Sequence, residues 1–245
     1  VTLAPLAAPE ALQAQDEIVA RGNAAYQDGD FVGAVEAYEA VLESGYRSAG
    51  LEYNLANAYF KNGELGRAIL HWERARELAP GDEDIRANLE LARSLTVDAV
   101  EPLPRFWLVS VVAWWVGLLP GGALRVLVAL AWLSVGAGVV LRILGRTTWA
   151  PGVGKGLFGG GMVVLLLFAP VLLVRETGWG LPEEAVVLAD AVQVRSAPTA
   201  DDDLTLFEIH EGTKVRIDER TGGWLEVVLE DGKVGWVPDG VVEVI

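Results

Sequence analysis

The chain has 245 residues, a net charge of −15, 52% hydrophobic residues and a mean hydropathy of +0.33. That is too apolar for an ordinary soluble domain and too charged for a pure membrane bundle, so both kinds of part must be present. The absence of cysteine excludes disulfides, thiolate metal sites, cysteine nucleophiles and CxxC redox chemistry.

Only His71 and His210 could serve as histidine ligands or bases, and there is no HExxH, so neither a metal cluster nor a histidine-based hydrolase has the material it needs. Both are read as ordinary polar positions, and no catalytic, cofactor or metal residue is expected. Residues 1–101 carry 8 Lys+Arg and 18 Asp+Glu, residues 102–182 carry 6 and 1, and residues 183–245 carry 5 and 15. The chain is therefore acidic, apolar, acidic. Two acidic water-facing domains argue against nucleic acid as a partner, because phosphate binding needs a basic face. They also repel anionic lipid, so contact with the bilayer must come from the middle.

The chain opens on Val1 and its single methionine is Met162. Residues 1–11, small and proline-containing with no basic segment, read as the tail left after removal of a signal peptide. Residues 22–42 and 56–76 then align at an offset of 34, pairing Asn23 with Asn57, Gly29 with Gly63, Ala34 with Ala68 and Tyr38 with Trp72. That is the length of a tetratricopeptide (TPR) helix–turn–helix unit. The glycines fall where one helix must turn into the next, and the alanines where two helices cross closely. Pro80-Gly81-Asp82 ends the second repeat and 84–95 begins another amphipathic helix, so residues 12–96 are read as two repeats plus a capping helix. The first helix of each repeat lines the concave face, placing Asn23, Tyr26, Gln27, Tyr53, Asn57, Phe60 and Lys61 there as partner-binding candidates. The neighbouring positions Val19, Asp84 and Asn88 do not supply the Lys and Arg of a carboxylate clamp. Asn23 and Asn57 also have a structural reading, as repeat asparagines packed between helices.

After a linker at 97–104, residues 105–119 are apolar but too short for a span of about 20 residues. Bounded by prolines and carrying Trp107, Trp114 and Trp115, they read as an interfacial helix, with a buried or re-entrant helix as the alternative. Residues 121–145 and 156–175 reach spanning length. The loop between them, 146–155, lies beside Arg142 and holds Arg146 and Lys155 with no acidic residue, which places it in the cytoplasm and both acidic domains outside. Gly154, Gly156 and Gly159 form a GxGxxG pattern that follows no strand. Close helix packing, for instance through Gly156 and Gly160, accounts for it better than a nucleotide site.

From 183 to 245 the pattern has period two, with Asp231-Gly232 as a hairpin turn and Gly212, Gly222 and Gly223 marking others. Five or so short strands would make a small barrel. The segments VQVRSAP, HEGTKVRI and WLEVVLEDGKVGWVP resemble the bacterial SH3-like domain. Leu225, Val227 and Trp236 are expected in the core, and Trp224 in the core or on a ligand surface. The stretch VQVRSAPTADDD has no aromatic, so recognition of proline-rich peptides is not supported, and Asp201 to Asp203 read as a solvated loop.

The fold class is thus multi-domain: an all-α TPR solenoid, a two-helix transmembrane hairpin and an all-β SH3-like barrel. The order of parts, with YNLANAYFKNGELGRAILHWERARELAPGDEDIRANLELARS, EPLPRFW, VRSAP and EGTKV, resembles the E component of the Bat (aerotolerance) proteins of bacteria. That resemblance implies a non-enzymatic, membrane-held adaptor, and the orientation read from the basic loop puts both soluble domains in the periplasm of an inner-membrane protein. Its partners would be a MoxR-type ATPase system and membrane von Willebrand factor A (VWA) proteins. Two functions follow from different classes: a protein-interaction scaffold working through the TPR face, or a cell-wall anchor whose barrel holds peptidoglycan.

Overall fold

The computed structural model describes residues 9–98, 115, 119, 121–177 and 182–245. It is a multi-domain chain of helical repeats, two long apolar helices and an antiparallel barrel. The repeats and the barrel form one compact unit, and the region between them forms a second.

The repeats comprise α1 (Pro9–Gln27), α2 (Phe31–Glu43), α3 (Ala49–Asn62) and α4 (Leu65–Leu78), followed by α5 (Glu83–Leu95). Short side chains start the helices: Asp30 accepts from Gly33 N, Ser48 from Leu51 N and Asp82 from Asp84 N and Ile85 N. The turns between paired helices close on Gly29 and Gly63, with φ of 82° and 88°, a left-handed conformation that costs other residues a Cβ clash. Ala34 and Ala68 are fully buried at the helix crossings, and Tyr38 and Trp72 fill the layer between repeats. His71 is not an ordinary polar position. It is buried, its Nδ1 lies 2.7 Å from the fully buried Glu52, and its ring stacks on Tyr59.

The barrel has seven strands rather than five: β1 (Glu183–Val187), β2 (Ala191–Arg195), β3 (Thr205–His210), β4 (Lys214–Thr221), β5 (Trp224–Leu229), β6 (Val234–Pro238) and β7 (Val242–Val244), in the order β3-β2-β6-β5-β4-β1-β7. Val194, Ile209, Leu225, Val227 and Val237 form its core. Trp236 does not join them. The alternation of β6 turns Gly235 and Val237 inward and leaves Trp236 partly exposed between Arg195 and Glu226.

β1 packs on α4, and Val186 belongs to the core of the repeats. The turn from β3 to β4 makes further contacts with the repeats. Gly66 N donates to Glu211 Oε2 (3.2 Å), and Lys214 Nζ lies 3.4 Å from Glu73. Arg74 pairs with Glu243 at 2.8 Å. Just beyond α5, Asp98 accepts from His210 N, Thr213 Oγ1 and His210 Nδ1 at 2.6, 2.6 and 3.0 Å. His210 is thus the second histidine with a structural partner.

In the second unit, α6 (Gly121–Leu144) and α7 (Ala150–Thr177) are long and apolar enough to cross a membrane. At 1.5 Å per residue both exceed the roughly 30 Å of a bilayer core. α7 starts six residues earlier than expected from the sequence, so much of the expected loop is helical. The close approach uses Gly138 against Gly154 and Ala131 against Gly161. A Cβ on Gly161 would lie 2.8 Å from Ala131 O. Among the described residues, a Cβ on Gly156, Gly159 or Gly160 would meet nothing within 4 Å, so there the close approach of α6 and α7 runs through Gly138, Gly154 and Gly161. The expected interfacial helix falls almost wholly outside the described residues. Of its two described members, Trp115 stacks on Phe168 at 5.2 Å, and Leu119 O accepts from Arg175.

Burial alone would raise the pKa of Asp98, but the hydrogen bonds from Thr213 and from the His210 backbone and ring, with the charge of His210, hold it below the ordinary value. A depressed carboxylate contributes stability that is complete above its unfolded pKa of about 3.9 and is lost as pH falls through the folded value. Urea unfolding of wild type and Asp98→Asn should therefore differ at about pH 6 and converge toward about pH 3. A difference independent of pH would show that the carboxylate charge is not what holds the junction.

Candidate peptide-binding groove

The first helices of successive repeats present a ladder of carboxamides. Tyr38 Oη donates to Asn23 Oδ1 at 2.7 Å, and Asn54 Nδ2 reaches the same oxygen at 3.4 Å. One 34-residue period later, Trp72 Nε1 donates to Asn57 Oδ1 at 3.2 Å and Asn88 Nδ2 donates to it at 3.0 Å. The two carbonyls thus satisfy the polar atoms of a buried tyrosine and a buried tryptophan, which would otherwise be costly to bury. Asn23 and Asn57 are structural through their oxygens. Among the described residues, their amino groups and the carbonyl oxygens of Asn54 and Asn88 make no hydrogen bond to the protein.

Asn23, Tyr26, Gln27, Tyr38, Asn54 and Asn57 line a groove of about 150 Å³. Four of the seven predicted candidates are in that set. Tyr53 stands beside it, its hydroxyl accepting from Asn88 at 3.2 Å. Phe60 packs against Trp72 at 5.5 Å, and so belongs to the rim of the core, while Lys61 is exposed and outside the lining. Asn54 is the lining residue the periodic reading passed over. It follows Asn23 by 31 residues, as Asn88 follows Asn57, and that second spacing was the available signal.

Among the described residues, none that lines the groove carries a formal charge. Burial, and then the neighbouring Tyr53, raises the pKa of Tyr26, and burial raises that of Tyr38, so both stay as neutral phenols. The groove can offer amide donors, amide acceptors and an aromatic edge, but no cation for a carboxylate and no general base for catalysis.

On the barrel, Trp224 opens β5 and is half-buried. Arg195 lies over its ring at 5.5 Å, held by Asp202 and by the carbonyl of Thr199, both at 2.8 Å. Within the Asp201 to Asp203 run, Asp201 caps a short 3-10 turn at Asp202–Leu204.

Comparison with known families agrees with this geometry. Residues 19–83 match the tetratricopeptide repeat family, and residues 190–243 match the bacterial SH3 domain family. Both are typically non-catalytic binding modules. No curated protein gives a match to the chain.

Asn57→Ala removes the acceptor of Trp72 Nε1, and Trp72 is only 2% exposed. Leaving that donor unpaired should cost about 1 to 3 kcal/mol, and chemical denaturation of the full chain in detergent measures it. An unchanged midpoint would show that the ladder carries no stability.

Proposed function

We propose that the chain is a membrane-held protein-interaction scaffold whose TPR groove takes an extended, uncharged stretch of a partner protein. The observation that carries this reading is the groove itself: unspent amide donors and acceptors beside Tyr26 and Gln27, with no charged residue in the lining. An extended backbone offers a donor and an acceptor at each residue, which such a surface can pair. The acidic surroundings, −10 over residues 1–101, favour a neutral or basic partner. The resemblance to the Bat proteins supports a membrane VWA protein as that partner, in a complex linked to stress or aerotolerance. Tyr26→Ala combined with Gln27→Ala should abolish co-purification of the VWA partner from native membranes while the repeats stay folded by circular dichroism. Retained binding would overturn the reading.

The scaffold sits in the inner membrane with both soluble domains in the periplasm. Support comes from the union of repeats and barrel in one unit: the chain between them must cross a bilayer an even number of times, and α6 and α7 supply two crossings. Arg142, Arg146 and Lys155 favour a cytoplasmic connection. Protease added to spheroplasts should digest the repeats and the barrel alike, whereas protection of both would reverse the orientation.

One observation favours a cell-wall role as a second reading. Trp224, with Arg195 above it, leaves part of an aromatic surface open on the barrel, on which peptidoglycan could settle. Retention of the full chain on insoluble peptidoglycan, lost on Trp224→Ala, would support it.

A further inference from the structure

A solenoid of helix pairs leaves its last pair with an uncovered face, and such an end must be made polar or be covered. Here the array stops half-way through a unit: α5 occupies the place of a first helix, and among the described residues no second helix follows it. Yet the outward face of α4 is dry. Ile69 is 1% exposed, drier than Val35 at 9%, its counterpart one period earlier, although Val35 has a following repeat to cover it. Glu73 is fully buried, as its counterpart Glu39 is not.

What covers α4 is the barrel, through β1, whose Val186 joins the repeat core, and through the turn from His210 to Lys214 that leads into β4. Gly212 takes φ +81° and presses on Ile69 and Thr96 so closely that a Cβ would stand 2.7 Å from Ile69 Cδ1 and 2.9 Å from Thr96 Cγ2. Gly66, on α4, allows the reciprocal approach, since its Cβ would meet Val187 O at 3.0 Å and Gly212 N at 3.3 Å. The electrostatics match the shape. Glu64, in the position before α4, makes no capping hydrogen bond, and Gly66 N donates instead to Glu211 of the barrel. A barrel carboxylate thus supplies the acceptor that the first turn of α4 lacks. Within the repeats Glu39 accepts from Tyr59, and one period on Glu73 accepts from Arg93. At the end of the array Lys214 joins that second carboxylate from the barrel side.

We propose that the SH3-like barrel is the C-terminal cap of the TPR solenoid, its His210–Lys214 turn standing where the second helix of a third repeat would pack. The barrel is then not a module swinging on a tether. Its β1 strand and the 210–214 turn are committed to the repeats, while the surface carrying Trp224 stays open to a ligand. The stability of the groove and that of the barrel become one quantity.

Hydrogen exchange on the full chain in detergent tests this, with substitutions in one domain read in the other. Gly66→Val should speed exchange of the barrel amides of Val187 and Gly212 roughly tenfold, near the low end of what overpacking costs. Glu211→Gln, which weakens the acceptor without adding bulk, should speed exchange in the first turn of α4 while leaving the β5–β6 amides unchanged. Barrel exchange indifferent to Gly66→Val overturns the proposal. So does first-turn exchange of α4 indifferent to Glu211→Gln, a result that stays readable even where Gly66→Val fails to fold.

Discussion

One buried carboxylate, Glu73, sets the terms for the contact between the repeats and the barrel. Glu73 has no exposed surface, and an ion in that position is tolerated only with partners that replace water. Three cations answer it from three directions: Arg76 from one turn further along α4 (2.5 Å), Arg93 from α5 (2.6 Å) and Lys214 from the barrel (3.4 Å). The last repeat and the helix after it supply the two close partners, and the β-domain adds Lys214, which also pairs with Glu184 of β1 at 2.5 Å. Removing one of them weakens the pairing left around the buried ion, so the repeats and the β-domain share part of one electrostatic balance.

The groove depends on the same kind of accounting, carried out with neutral groups. Asn23 and Asn57 spend their oxygens on a tyrosine and a tryptophan of the core, which fixes each carboxamide and leaves its amino group unspent. A rigid polar group needs no ordering when a ligand arrives, so the structural and the recognition roles of these asparagines are two ends of one side chain. Replacing either would disturb both, whereas Gln27 can be changed without touching the bonds to Tyr38 and Trp72.

Much of this was legible in the sequence, for identifiable reasons. The 34-residue offset exposed the repeats because Gly29, Gly63, Ala34 and Ala68 occupy positions where sterics admit few alternatives. Period-two alternation exposed the barrel, but its phase misled at Trp236, where the inward positions are taken by the neighbouring Gly235 and Val237. Four of the seven groove candidates line the groove. Phe60 does not, because helical register alone cannot distinguish a face from its rim. The junction was invisible: Gly66 and Glu211 are 145 residues apart, and Glu73 on an amphipathic helix looks like any solvated glutamate. In α6 and α7 the glycine pattern announced close packing, but which of several glycines faces inward depends on the rotation of each helix about its axis.

The place of the membrane hairpin within this arrangement has a consequence for biosynthesis. Asp98 and Glu183 are 85 residues apart in the chain, yet they border one body. Translation runs at about 5 to 20 residues per second, so the ribosome needs about 4 to 17 s to pass from the end of the repeats to the first strand of the barrel. During that interval Glu73 lacks its lysine and the first turn of α4 lacks its acceptor, while α6 and α7 are being inserted. Until residues 183–245 have been made, the outward face of α4 therefore waits uncovered while the two long apolar helices are synthesised.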